Sequence, residues 1–338
     1  MYSYFVKDDN DVRFFAEHIE DRLPKEIFDA HMHINLPDHV KAVSQQTIKG
    51  DWALECGLIM TYEDALAYHK TLFPGRKMKL LALPWPLAEA DMPANNDYLA
   101  SLSAIHGVTA LMSIRPEWNA EYVEKQLLDG SFAGFKPYPY MAASEKGAEV
   151  SIFDFLPHSH LELADKHGKA VLLHLPRKGR LADDNNIREI RDIVQKYTNL
   201  RLVIAHYGRC FNVKYLKEGL TKLGSDCGAL YFDTAAVINP LVHQEALQNL
   251  RTDQILFGTD LPILLWHGKR IWTETDYFNL CREDFSWNKH PYPYDEKDYT
   301  FFLYEQLKAI MDCIKQSGAC DRVAQDIFYN NAKRVYKA

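Results

Sequence analysis

Residues 25–37 read KEIFDAHMHINLP. An apolar run containing Ile27 and Phe28 leads directly into two histidines one residue apart, His31 and His33. In a strand, residues i and i+2 point to one face, so both imidazoles project together from the strand's end while Met32 turns to the other side. Runs of the same kind recur as MKLLALPW (78–85), VTALMSI (108–114), FAGFKPY (132–138), KAVLLHL (169–175), LRLVIAH (200–206), ALYFDTA (229–235) and QILFGTD (254–260). With IFDAHMH (27–33) they make eight.

Segments of helical spacing separate them, such as FLPHSHLELADKHG, NIREIRDIVQKYTN and VKYLKEGLTKLG, the first and last ending on a glycine suited to stop a helix. Near-continuous apolar strands alternating with helices predict parallel strands covered on both faces, and eight such units predict closure into a (β/α)8 TIM barrel. A doubly wound open sheet is the alternative. It would carry a glycine-rich phosphate turn after its first strand, and HMHINLPDHV has no glycine. Two insertions break the rhythm, residues 34–77 after strand one and 261–300 after strand eight. Both follow strand C-terminal ends, where barrels build their active sites, and are expected to wall the mouth.

The 338 residues show no repeat, low-complexity tract or linker, so one domain over 1–338 is expected, with the barrel at about 25–336. A 47% hydrophobic content supplies a large core, yet no window approaches 18 consecutive apolar residues, which excludes a membrane-spanning helix. The start, MYSYFVKDDNDVRFF, lacks the basic lead and apolar stretch of a secretory signal, so a cytoplasmic location is expected. Six scattered cysteines without a CxxC read as reduced thiols in keeping with it. A net charge of −7 with dispersed basic residues argues against nucleic acid and leaves a small molecule as the expected partner. A homodimer is compatible with such a barrel, although no stretch marks a contact face.

The polar residues at the strand ends form a set: His31 and His33, Lys136, His174, His206 and Asp260. Four imidazoles and a carboxylate at one rim point to a divalent metal, zinc first, with manganese or iron suited to the same donors. Asp260 can also accept a proton from water. Arg177, Lys178 and Arg180 after strand five and Arg209 after strand six suggest capture of a substrate carboxylate or phosphate. Tyr138, Tyr140, Trp266 and His267 are expected as walls, with Asp233 and Asn239 as further pocket candidates. A second HxH, His158 and His160, falls at the start of an outer helix, where i and i+2 diverge, and carries no metal. His18, His39, His69, His106, His167, His243 and His290 receive no role.

DAHMH, GFKPYP, VLLHLP, LVIAHYG and LFGTDLP, in this order, resemble the amidohydrolase superfamily over roughly residues 25 to 336. Within it the chain is most similar to the amidohydrolase-related branch, which includes aminocarboxymuconate-semialdehyde decarboxylase, aromatic acid decarboxylases and several lactonases. The closing IFYNNAKRVY fits that branch too. Dihydroorotases share the K-x-Y-P but carry an arginine where this chain has Asn35. The resemblance implies that His31, His33, His174 and Asp260 ligate the principal metal. His206 would polarise the substrate carbonyl through an N–H or bind a second ion. Lys136 would bridge two metals if carboxylated, or hold an anionic substrate group as a free ammonium, with one metal preferred.

The expected function is a metal-dependent hydrolase in which metal-activated water cleaves an ester, lactone or amide of a small anionic substrate. Asp260 and His206 would be catalytic, and Lys136, Tyr138, Arg177, Lys178 and Arg209 would bind substrate. The alternative is a metal-dependent decarboxylase of an unsaturated or aromatic acid. A non-catalytic, metal-stabilised binding protein is disfavoured, because a structural site has no need of a proton acceptor.

Overall fold

The computed structural model describes residues 1–142, 147–288, 296–318 and 321–338; His290 and Cys320 lie outside these. Strands β1 (Glu26–His33), β2 (Lys77–Leu83), β3 (Thr109–Ser113), β4 (Gly134–Lys136), β5 (Ala170–Leu173), β6 (Arg201–Ile204), β7 (Leu230–Asp233) and β8 (Ile255–Leu256) pair in parallel in chain order. The ring is drawn together where Met32 pairs with Leu261 and where the Ala30 and His33 amides donate to Phe257 O (2.9 Å) and Leu261 O (2.7 Å). Helices such as Met92–His106, Asp184–Lys196 and Val213–Leu223 form the crossovers, giving the TIM barrel.

Several strands are shorter than the sequence suggests. FAGFKPY contributes only Gly134–Lys136 and QILFGTD only Ile255–Leu256. The chain leaves extended geometry where it turns side chains into the mouth; Asp260 sits at φ 64°.

The pleat of β1 holds the decisive local feature. Phe28 and Ala30 pack inside the barrel with Leu81, Leu172 and Leu256, whereas Ile27, Met32 and Ile34 join the layer beneath the helices. Strict alternation from Phe28 and Ala30 would send Met32 inward and His31 outward. A register shift between Asp29 and Met32 against β2 resets the pleat, as a β-bulge does. Its cause is the buried Asp29 carboxylate. Oδ1 accepts the amides of His31 (3.2 Å) and Thr259 (2.9 Å), and Oδ2 accepts the Thr259 hydroxyl (2.5 Å) and His69 Nε2 (3.2 Å).

Residues 34–77 fold into the short helices Gln45–Gly50 and Trp52–Cys56 and the helix Tyr62–Leu72, which Thr61 caps in a reciprocal box with Asp64. Residues 261–300 carry an antiparallel hairpin, β9 (Gly268–Trp272) with β10 (Tyr277–Cys281). Two expected wall residues are corrected here. Trp266 is fully buried and stacks on Phe302 at 3.9 Å, within the insertion's own apolar cluster. His267 is fully buried between Asp11 (Nε2–Oδ2 2.9 Å) and Glu283 (Nδ1–Oε1 2.9 Å), tying the N-terminal helix to the hairpin. The five described cysteines are all buried. No helix among the described residues is long and apolar enough to cross a membrane.

Two outcomes follow. Gly134 lies so close to β5 that an added Cβ would stand 1.8 Å from Ala170 O, a backbone atom of the sheet. Gly134→Ala should therefore cost about 3 kcal/mol or more, read as a lowered urea midpoint. Burial alone would lower the His267 pKa, but Asp11 and Glu283 outweigh it and raise it. A raised folded pKa gives stability that is full below the unfolded value of about 6.5 and fades as pH climbs through the folded value. Thermal melts from pH 5.5 upward should show wild type losing its advantage over His267→Gln as pH rises; a constant gap would show that folding leaves the proton affinity of His267 unchanged.

Candidate metal centre and substrate cavity

The bulge and the ring closure together bring the ends of β1 and β8 into one place. The Asp260 amide donates to His31 O at 2.7 Å, and Gly258 passes so near that a Cβ there would stand 2.7 Å from His31 Cβ. Asp260 Oδ1 then lies 3.4 Å from His31 Nε2 and 3.6 Å from His33 Nε2. His31, His206 and Asp260 place ligand atoms within 4.8 Å of one another. The His174 ring stands 5.4 Å from that of His206, with its Nδ1 buried and unpartnered.

Hydrogen bonds fix which nitrogen of each ring faces the cavity. His31 Nδ1 donates to Asp233 Oδ2 (2.8 Å), His33 Nδ1 to Pro84 O (2.9 Å) and His206 Nδ1 to Ala235 O (2.8 Å). A carbonyl only accepts, so the N–H of a neutral ring sits on Nδ1 and the Nε2 lone pair points inward. Burial lowers His31 and His174 well below the ordinary imidazole range and His206 to about 4, keeping these rings neutral. Burial works to raise Asp260, but the surrounding His31, His206 and His33 hold it well below the usual carboxylate range. Neutral imidazoles with free Nε2 atoms, anchored from behind and set beside an ionised carboxylate, fit a divalent ion.

That arrangement corrects one expectation. The single N–H of neutral His206 is committed to Ala235 O, so His206 presents a lone pair to the cavity and has no N–H with which to polarise a carbonyl. It is a nitrogen donor or a proton acceptor.

Lys136 is 1% exposed, and its Nζ lies 3.4 Å from His31 Nε2. Burial brings its pKa down to about 8, with Asp233 and Asp260 opposing the shift. Asp233 holds the centre from behind: its Oδ1 accepts the His206 (2.7 Å) and Ala235 (3.1 Å) amides while Oδ2 holds the His31 ring.

Strain concentrates at this rim. Of nine non-glycine residues with positive φ among those described, seven follow β5 to β8: Arg177, Arg180, His206, Tyr207, Arg209, Ala236 and Asp260. Each costs on the order of 1–3 kcal/mol, and such clusters mark places where position matters more than local comfort. The run from His206 to Arg209 carries both of those side chains into one cavity.

The cavity holds about 320 Å³. Trp85, stacked on His33 at 4.3 Å, and Tyr138, beside His174 at 4.5 Å, form two walls. Both insertions contribute, through Asp51 and Trp52 from the first and Ile263 and Tyr277 from the second. Tyr140 and Arg209 complete the lining named from sequence.

Two expected substrate contacts are not there. Arg177 is locked in a two-pronged pair with Glu189 (Nη2–Oε1 2.8 Å, Nη1–Oε2 3.0 Å), twelve positions along on the next helix, and Lys178 is exposed outside the cavity. Asn239 caps the helix Pro240–Asn249. His158 bonds Tyr197 and His160 bonds Trp118 O, both structural. Asp51, Trp52, Trp85, Phe211 and Tyr277 were not foreseen, since no local pattern shows which loop residues reach a distant rim. Asp29 did leave a trace, a lone carboxylate inside an apolar strand.

A search of curated proteins finds no match. Solved structures share the frame. A 4-oxalomesaconate hydratase from Rhodopseudomonas palustris superposes with a TM-score of 0.59 at 13% identity, covering 92% of this chain and 95% of that one. A dihydroxybenzoic acid decarboxylase from Polaromonas sp. JS666, with bound manganese, gives 0.56 at 13% identity, covering 93% and 97%. A probable 2-pyrone-4,6-dicarboxylic acid hydrolase from Acinetobacter baumannii, with citric acid bound, gives 0.54 at 12%, covering 92% and 99%. Likeness at this identity speaks for the fold alone. The profile of the amidohydrolase family (Amidohydro_2), however, matches residues 94–338, from the helix before β3 through His174, His206 and Asp260 to the C-terminal helix, and the chain belongs to that family.

Proposed function

We propose that the chain is a metal-dependent hydrolase that uses water to cleave an ester, lactone or amide bond in a small anionic substrate. The observation that carries this reading is the Asp260 carboxylate within 3.6 Å of two inward-facing Nε2 atoms. An ion there would be held by His31, His33, His174 and Asp260. The donors lack sulfur and suit zinc, with manganese or iron as fitting substitutes. When bound, the ion supplies Lewis acidity that polarises a carbonyl and makes water a better acid.

The chain's own residues supply the rest. Asp260 takes the proton from attacking water and returns it to the leaving group. His206, with its Nε2 lone pair, orients that water. Asp233 fixes the His31 ring, and the Lys136 ammonium receives an anionic group of the substrate at the cavity floor. Trp85 and Tyr138 exclude bulk water around them.

Decarboxylation is the second reading, and Lys136 favours it. It is the buried ammonium of the centre and could protonate the carbon that loses CO2. The decarboxylase among the similar structures makes this the reaction to test against.

Four measurements decide. Elemental analysis of the purified chain should find one divalent ion, and intact mass should lack the CO2 adduct of a carboxylated Lys136; two ions with that adduct would mean a bridged pair. Asp260→Asn should cut hydrolysis about 100- to 10,000-fold while the metal stays substantially bound, whereas full activity would remove its assigned role. Asp233→Asn should weaken metal affinity about 10- to 100-fold by freeing the His31 ring. CO2 release from aromatic or unsaturated acids, with no turnover of esters or lactones, would replace hydrolysis with decarboxylation.

A further inference from the structure

Next to the imidazoles, one wall of the cavity carries positive charge that the chemistry above leaves unused. Two arginines cover the Phe211 ring, which lines the cavity, and a third, Arg209, stands two residues before it. Arg270 lies 4.9 Å from the ring centre and also covers Tyr277 (4.4 Å) and Phe302 (5.1 Å). Arg180 lies 5.7 Å from Phe211 and 4.8 Å from Tyr215. Arg209 lines the cavity itself, its Nη1 steadied by the carbonyls of Leu175 (3.2 Å) and Arg177 (3.3 Å).

Among the described residues none of the three forms an ion pair with a carboxylate. Arg270, 4% exposed, donates only to neutral acceptors, Asn279 Oδ1 (2.8 Å) and Ala236 O (2.8 Å). Its Nη2 is buried with no partner, as is Arg180 Nη1. Taking a guanidinium out of water is costly, and an aromatic face returns only part of that cost. Countercharge is still wanting. The carboxylates at the cavity do not supply it: Asp260 faces the imidazoles, and Asp51 caps the Ala53 amide at 2.9 Å. The net charge of −7 means this local excess is not inherited from composition.

We infer that the cavity takes a dicarboxylate, with one carboxylate at the Lys136 and imidazole end and the second on Arg209, in a fork-to-fork pair. Arg180 and Arg270 are positioning residues. They fix Phe211 beside Arg209 and add field to the same spot. Planar walls from Trp52, Trp85, Phe211 and Tyr277 favour a flat spacer between the two charges, and about 320 Å³ suits a single substituted ring. The inference rests on the cavity being the substrate site proposed above, and it names the class of substrate that site selects.

The test titrates the zinc-loaded full chain with benzoate and with the three benzenedicarboxylate isomers, reading tryptophan fluorescence, since Trp52 and Trp85 line the cavity. The isomers act as a ruler for the spacing between the two ends. At least one should bind about tenfold or more tighter than benzoate, a difference of about 1.4 kcal/mol. Arg209→Gln should shrink that preference to within about twofold, with zinc content and melting temperature showing that the variant is folded. If Arg209→Gln does not fold, Arg209→Lys, which keeps the charge but not the planar fork, should reduce the preference at least about threefold. No isomer preferred by wild type, or a preference undiminished in the variants, overturns the dicarboxylate assignment. A benzoate affinity identical with and without zinc would instead count against the metal-end reading, so the two failures are told apart.

Discussion

A buried carboxylate in the first strand organises the rest of this molecule. Asp29 accepts hydrogen bonds from the His31 and Thr259 amides, the Thr259 hydroxyl and His69. Four donors are what a buried carboxylate needs, because an unsatisfied one would be expelled or protonated. Drawing the His31 amide to a side chain breaks the β1 ladder at that point and turns the histidine pair into the mouth. Drawing Thr259 to the same group holds the end of β8 against β1, which seats Asp260 beside His31. One group thus closes the barrel and assembles the first half of the centre.

The second half is assembled by Asp233, which does for β6 and β7 what Asp29 does for β1 and β8. It grips the His31 ring with one oxygen and the turn at His206 with the other. The strained backbone from His206 to Arg209 is tolerable only because such bonds over-determine it. Rigid support of this kind holds lone pairs in place without waiting for a ligand. The barrel supplies the frame, and two buried carboxylates aim what stands on it.

Function then depends on what surrounds that frame. The similar structures include a hydratase, a decarboxylase and a probable hydrolase at 12–13% identity, so a shared barrel does not choose a reaction. The cavity of this chain is shaped by its own insertions, Asp51 and Trp52 on one side and Ile263 and Tyr277 on the other. His267, clamped between Asp11 and Glu283, anchors the insertion that carries Tyr277. The walls of the cavity therefore come from the insertions as well as from the barrel.

The barrel was legible from the sequence because burial of parallel strands on both faces writes itself as apolar runs at regular intervals, and that signal is local. The rim was legible for a similar reason: His31, His33, Lys136, His174, His206 and Asp260 each stand at the end of such a run, and chain order alone places those ends on one side. What each rim residue does was decided only by the folded chain. Whether His206 shows a lone pair or an N–H depends on Ala235 O, twenty-nine positions away; whether Arg177 meets substrate or Glu189 depends on a helix packed beneath it. Alternation counted from Phe28 would even have faced His31 the wrong way, since the bulge that reverses it is made by Thr259 and Asp29, residues separated by 230 positions. Periodicity records which face of an element is buried, but hydrogen-bond partners and ion pairs are chosen in three dimensions.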